Sequence, residues 1–280
     1  MKVLFTGSSG PKVGATVAAH LALTHELVGI DLQPSATTTH LADITQIQHW
    51  APYLEGVDAI VHFAALHAPH RDTHSRADFL RLNVEATATL IDAAKRAGVS
   101  RFLLASSTSV YGKAMRPTDR AVWVTEDLAP IAEDIYDETK LAAEQICRDA
   151  FASNFVTTAL RFSRAFPEPL PLMALYRLYR GVDARDVAQA FSLALLASPA
   201  KFAAFNISGE TPFQPTDTSA LLNDAAAVLR ERCPALVDEF ARRNWPLPAS
   251  IDRVYCCANA ERSLGFRAAY GWKSVLGMRG

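Results

Sequence analysis

Residues 1–14 read MKVLFTGSSGPKVG, and the reading of this stretch decides the fold. Lys2–Thr6 is β-branched and aromatic, the composition of a buried strand. Gly7, Gly10 and Gly14 follow, and then VAAHLAL (17–23) reads as part of a helix. Glycines crowded where a strand hands over to a helix let the backbone turn tightly. They also let a pyrophosphate approach the free N–H groups of the helix's first turn. Pro11 is compatible with that place, because a first-turn N–H has no intrahelical partner to lose. The stretch therefore predicts the opening strand–loop–helix unit of a doubly wound sheet.

Outward from it, the alternation repeats. ELVGID (26–31) reads as a strand, 45–54 as a helix, and VDAIVHFAAL (57–66) as a strong buried strand. Residues 76–97 have a long helical period closed by Gly98. RFLLASS (101–107) is a strand, 136–152 a helix, and VTTALRF (156–162) a strand. Continuous apolar strands separated by helices indicate a parallel sheet covered on both faces. Past Phe162, SRAFPEPLPLM reads as a proline-rich loop, VDARDVAQAFSLALLA as a helix and AAFNISG as one more strand. Helices over 219–231 and 234–243, a strand IDRVY and a short helix NAERSLGF complete the chain. The expected organisation is an α/β Rossmann domain over 1–162, with 183–208 returning to it. A small irregular substrate-binding lobe is expected from 163–182 and 209–280.

Composition narrows the partners. The chain has 28 Lys and Arg against 29 Asp and Glu, so no charge excess favours nucleic acid or an anionic membrane. No apolar run approaches the roughly 18 residues of a spanning helix. The N-terminus enters a strand directly, so no signal peptide is read. Cys147, Cys233, Cys256 and Cys257 form no C-x-x-C pair, which suggests neither a disulfide framework nor a zinc site; a cytoplasmic setting is expected. His67, His70 and His74 read as a polar loop at a cleft mouth and not as metal ligands, and His62 as a packed core residue.

Two further patterns carry chemistry. Asp31 ends the second strand, where a carboxylate takes both hydroxyls of an adenosine ribose. It repels a 2′-phosphate, and Leu32, Gln33 and Pro34 follow it with no arginine, so NAD is expected over NADP. Lys12 is the nearby cation that works against this. Tyr136 and Lys140 lie four apart on one helix face. An ammonium beside a phenol lowers its pKa and lets it exchange a proton with an alcohol while hydride leaves the same carbon. In ASSTSVYG (105–112), a serine at the C-terminal end of a parallel strand opens toward the crevice, where it could orient the reacting oxygen.

With TGSSGPKVG, GID, LADIT, VDAIVHFAAL, LNVEAT, FLLASSTSVYG, YDETK, TALRFS, VDARDVAQA and FNISGE in this order, the chain resembles the extended short-chain dehydrogenase/reductase family, in its NAD-dependent epimerase/dehydratase group. The resemblance implies catalytic roles for Ser107, Tyr136 and Lys140, with Lys140 also on the nicotinamide ribose. It implies cofactor contacts from Gly7, Gly10, Lys12 and Val13, from Asp31, and from Asp43 and Ile44 at the adenine. Phe63, Ala64 and Ala65 would line the cofactor, Asn83 would support it, and Ser163 would stand beside the nicotinamide. A homodimer is implied through the alanine-bearing helices (Ala86, Ala88, Ala93, Ala94; Ala142, Ala143), with burial in the subunit's own core as the alternative.

Three departures qualify this. The last glycine gap holds Pro11-Lys12-Val13, one residue more than G-x-x-G-x-x-G. Either the loop is longer or Val13 takes the third glycine's place. Ala86 replaces a glycine. The segment between LRFS and VDARDVA is short, where nucleotide-sugar enzymes hold the nucleotide. That shortening, and an FPEP shared with uronate dehydrogenases, favour a small carbohydrate-like substrate such as a sugar or sugar acid. Arg185 is then a candidate for a substrate carboxylate, or else pairs with Asp183 or Asp186; Arg177 and Arg180 are weaker candidates. A sugar epimerase or dehydratase that recycles its NAD, and a non-catalytic dinucleotide sensor, are the alternatives.

Overall fold

A computed structural model describes residues 1–278. In chain order the first half holds β1 (Lys2–Thr6), α1 (Gly14–Leu21), β2 (Glu26–Asp31), β3 (His40–Leu41), β4 (Ala59–His62), α2 (Arg76–Leu80), α3 (Ala86–Arg96), β5 (Arg101–Ser107), β6 (Val122–Val124) and α4 (Ile135–Ala150). The second half holds β7 (Val156–Phe162), α5 (Leu170–Tyr176), α6 (Ala184–Leu196), β8 (Ala203–Ile207), α7 (Thr218–Asn223), α8 (Ala225–Arg232), α9 (Pro234–Arg242), β9 (Arg253–Tyr255), α10 (Ala258–Leu264) and α11 (Trp272–Val275).

Seven strands form one sheet in the order β3-β2-β1-β4-β5-β7-β8, and every pairing in it is parallel. The chain leaves β1 toward β2 and β3, then returns to the other side of β1 as β4. The order reverses there, so a crevice opens between the C-terminal ends of β1 and β4. Side chains alternate across the sheet. Val3 and Phe5 face a core with Val17, Leu21 and Phe191 from α1 and α6, while Leu4 faces the opposite core with Leu90 and Cys147 from α3 and α4. A separate apolar cluster joins Leu175 of α5 to Leu221, Leu229 and Phe240 of α7–α9 and to Val254 of β9. β6 and β9 form a two-stranded parallel ribbon away from the main sheet.

Several expectations change. Residues 45–54 form two short 3-10 turns, Ile47–His49 and Ala51–Leu54, interrupted at Trp50. The strand expected over 57–66 ends at His62, because its carboxyl end opens into the crevice. The helix expected over 76–97 contains one π turn, Arg81–Glu85. The proline-rich segment is not all loop: Pro169 and Pro171 stand at the start of α5, where proline is tolerated. Of the alanines read as an interface, Ala86, Ala93, Ala94 and Ala143 lie in the subunit's own core, whereas Ala88 and Ala142 are half-buried.

His62 is a packed core residue. Its Nδ1 lies 2.6 Å from the Thr6 hydroxyl and its Nε2 3.0 Å from that of Thr87. Thr87 Oγ1 donates to the Asn83 carbonyl, so it accepts from Nε2–H, and Nδ1 accepts from Thr6. The neutral ring satisfies every partner. Burial, and secondarily the Lys140 charge, push its pKa down to about 3. An unfolded chain protonates this ring below about pH 6.5 while the native one does not, so His62 makes stability fall as pH drops from 6.5 toward 3. Replacing it with glutamine, which keeps one donor and one acceptor, should move the acid-unfolding midpoint, followed by circular dichroism, to lower pH. An unchanged midpoint would show that other groups govern acid unfolding.

Candidate active site

The glycine loop answers its own register question. Gly7 has φ +78°, and a Cβ there would stand 2.7 Å from the Ala64 nitrogen, across the crevice on the residues after β4. A Cβ on Gly14 would stand 2.5 Å from the Gly7 carbonyl oxygen. Gly14 is therefore the third glycine, the one that lets α1 pack on the turn, and the loop is one residue longer. Val13 is the residue before α1 and packs on the apolar core, so the alternative placing it in the glycine's position is corrected. Gly10 donates its N–H to Gly7 O, and its carbonyl accepts from Ala15.

Asp31 ends β2 half-buried; one carboxylate oxygen accepts from the Ser9 N–H at 2.8 Å and the other from Gln33. The acid thus stands at the edge of the glycine loop. Asp43 accepts from the Thr45 N–H and hydroxyl, and Ile44 is buried beside Trp50, whose indole bonds its carbonyl. Phe63 follows β4 half-buried, its ring stacked on Phe5 at 5.1 Å and packed against Phe191 at 4.7 Å. Ala64 and Ala65 follow it, with the Ala64 N–H on the Thr6 carbonyl. Asn83, in the π turn, exchanges two 2.8 Å bonds with the backbone of Leu66 and donates to Thr139 of α4. It clamps the post-β4 loop to the helix that carries Tyr136.

At the other side of the crevice Ser107 is the last residue of β5, and its hydroxyl accepts from the Ser109 N–H. Tyr136 lies in the first turn of α4, capped by Asp134, which accepts from the N–H groups of Tyr136 and Asp137. Burial pushes the Tyr136 phenol up to about 12; a hydrogen bond from Ser107 pulls the other way. Lys140 is 5% exposed and donates to the Ala105 carbonyl at 2.9 Å. The sequence suggested an ammonium that lowers the phenol's pKa. In the free protein the ammonium is engaged with the end of β5, and desolvation sets the phenol. Ser163 is buried after β7 and donates to the Ser208 hydroxyl.

Arg185 is half-exposed and already paired. It holds Asp183 with two bonds, at 2.9 and 3.1 Å, and stacks over Tyr270. Arg177 is buried on the Val182 carbonyl and Asp183, and Arg180 stacks over Tyr176. Lys12 lies over the Phe166 ring at 4.2 Å, which joins the glycine loop to the FPEP segment. His67, held near pKa 4 by burial and by the charges of His70, Lys140 and Lys12, sits between these loops. No group of three His, Cys, Asp or Glu among the described residues is arranged to hold a metal ion.

Sequence reading missed a buried polar network beneath Tyr136 and Lys140. Arg161 of β7 bonds Glu144 of α4 twice, Ser106 donates to Glu144 at 2.6 Å, and Tyr111 links Arg161 to Asn206. The available signal was Glu144 itself, four residues past Lys140. The glycine cradle that a Cβ would fill, Lys12 beside it, an α1 first turn without acid, and Asp31 at its edge together fit a dinucleotide.

The model of the NAD dependent epimerase/dehydratase family matches residues 3–168. A UDP-glucose 4-epimerase of Erwinia amylovora is 29% identical over 183 residues, which cover 58% of this chain and 52% of that protein. The chain thus spans about half the length of such curated relatives. A short-chain dehydrogenase/reductase superfamily protein from Agrobacterium tumefaciens, solved with NAD bound, superposes with TM-score 0.75 at 24% identity, covering 99% of this chain and 95% of that one. A mutated uronate dehydrogenase superposes with TM-score 0.69 at 16% identity, covering 99% and 84%. These two likenesses establish the fold.

Proposed function

This chain belongs to the NAD-dependent epimerase/dehydratase family, and from that membership we propose that it is an NAD-dependent oxidoreductase acting on a small carbohydrate-like alcohol, a sugar or sugar acid. One observation carries the reading: Ser107, the Tyr136 phenol and Lys140 are gathered at the C-terminal end of β5, across the crevice from the glycine cradle. Residues 1–162, with 183–208, would hold the cofactor, and 163–182 with 209–280 the substrate. Gly7, Gly10, Lys12 and Gly14 would receive the pyrophosphate, Asp31 the adenosine ribose, Asp43 and Ile44 the adenine, and Lys140 the nicotinamide ribose. NAD, when bound, accepts or returns the hydride. Ser107 orients the substrate oxygen, and Tyr136 takes its proton in oxidation or supplies one in reduction.

The short connection between β7 and α6 supports a substrate without a nucleotide handle, since α5 fills that segment with apolar packing. Arg185, paired with Asp183 and half-exposed, is the residue we keep as a candidate for a substrate carboxylate. The outward faces of α3 and α4, which include the half-buried Ala88 and Ala142, are the surface we assign to a homodimer. A second reading, an epimerase or dehydratase that keeps and reoxidises its NAD, is favoured by the relatives' names. Mixing the protein with NAD and a panel of free aldoses, uronates and nucleotide sugars separates the two. NADH released in step with product is expected for a free sugar or sugar acid. Product formed from a nucleotide sugar with no NADH released would overturn the proposal in favour of the second reading.

A further inference from the structure

Tyr136, Lys140 and Glu144 follow one another at four-residue intervals on one face of α4. Glu144 is 4% exposed and takes no part in the proton transfer described above. Its carboxylate is nevertheless fixed from two strands. Arg161 of β7 donates through Nε at 2.9 Å and Nη2 at 2.6 Å, and the Ser106 hydroxyl of β5 donates at 2.6 Å. Arg161 is in turn held by the Tyr111 hydroxyl, itself bonded to Asn206. A carboxylate fixed by an arginine and a serine one helical turn from the amine is built into the floor of the site.

We infer that Glu144 is a positioning residue, the buried anion that keeps Lys140 protonated and so able to donate both to the Ala105 carbonyl and to a cofactor ribose. This rests on the role given to Lys140 above. The geometry requires such a group, because an ammonium buried without an anion gives up its proton. Burial pushes Lys140 down to about 8, and Glu144 is the main influence opposing that fall. The other groups facing the amine supply no anion at neutral pH. His62 from β4 and His67 from the following loop are neutral, burial raises the Cys147 thiol on α4, and Arg161 from β7 is a cation engaged with Glu144.

The test uses Glu144→Gln and the double variant Glu144→Gln/Arg161→Met. The second removes the buried arginine that the first leaves without its anion, a replacement that buried ion pairs commonly tolerate. Two measurements are made across pH: the titration of the Lys140 Cε resonance in cofactor-free protein, identified by its loss in Lys140→Met, and NADH affinity by fluorescence. In each variant that folds, both the resonance midpoint and the alkaline loss of NADH affinity should move down by about one pH unit or more. A wild-type resonance midpoint in the double variant would overturn the inference. Should Lys140→Met bind NADH as tightly as wild type, the role assigned to Lys140 fails instead, and the resonance midpoint still decides whether Glu144 governs its protonation.

Discussion

Replacing Tyr136 with phenylalanine should lower turnover about a hundred- to ten-thousandfold, the usual worth of a positioned proton donor or acceptor, while NADH affinity and thermal stability stay near wild type. The substitution removes only the hydroxyl. The ring keeps its place in the first turn of α4, the Asp134 cap is made by backbone N–H groups, and Ser107 keeps its bond to the Ser109 N–H. The loss should therefore fall on kcat rather than on folding or cofactor binding. The phenol's position also fixes the sign of the pH dependence. Burial holds it near 12, so the neutral acid dominates at physiological pH. Reduction, which uses the acid, finds it already populated. Oxidation needs the phenolate, whose fraction rises about tenfold per pH unit below the pKa, so the oxidative rate should climb into the alkaline range. A phenylalanine variant within a few-fold of wild type would leave the dinucleotide crevice without the chemistry assigned to it.

Gly7→Ala should destabilise the protein by roughly 2–5 kcal/mol, the sum of a left-handed backbone forced on a residue with a Cβ and of overpacking. The added carbon would press on the Ala64 nitrogen at 2.7 Å and the Phe63 carbonyl carbon at 2.8 Å. Those atoms belong to backbone that has bonds of its own to Thr6, so they cannot move aside cheaply. Gly98 is the control. Its φ is +79° but nothing lies within 4 Å of a Cβ there, so Gly98→Ala should cost only the backbone component, about 1–2 kcal/mol. Urea unfolding of the two variants separates the components. Equal losses would mean that β1 and β4 do not meet as closely as described.

What could be read from the sequence followed from physics local to each segment. Lys2–Thr6, Glu26–Asp31, Arg101–Ser107 and Val156–Phe162 were legible to the residue, because buried parallel strands are short apolar runs with sharp ends. β3 and β6 were not, since two or three residues carry no period and their pairing is chosen by tertiary partners. α5 was hidden by prolines that read as loop but stand at a helix start. In the candidate site, the spacing of Tyr136 and Lys140 put them on one helix face, as the structure has them on α4, whereas Ser107 was singled out only by the resemblance. The fate of Arg185 was not legible, because Asp183 as an N-cap and Tyr270 as a stacking partner are chosen only by the fold. The extra glycine-loop residue was visible in the sequence, but only a collision distance shows that Gly14 and not Val13 fills the third glycine's place.

The parallel ribbon of β6 and β9 ties Val122–Val124 to Arg253–Tyr255. Both the serine and the tyrosine of the site are synthesised long before the second of those strands, yet the stretch between them finds its sheet partner only there. Pairing over such a sequence separation carries a large loop-closure cost. During biosynthesis the sheet as far as β8 has its strands available first, and the packing around β6 is completed by chain that leaves the ribosome much later.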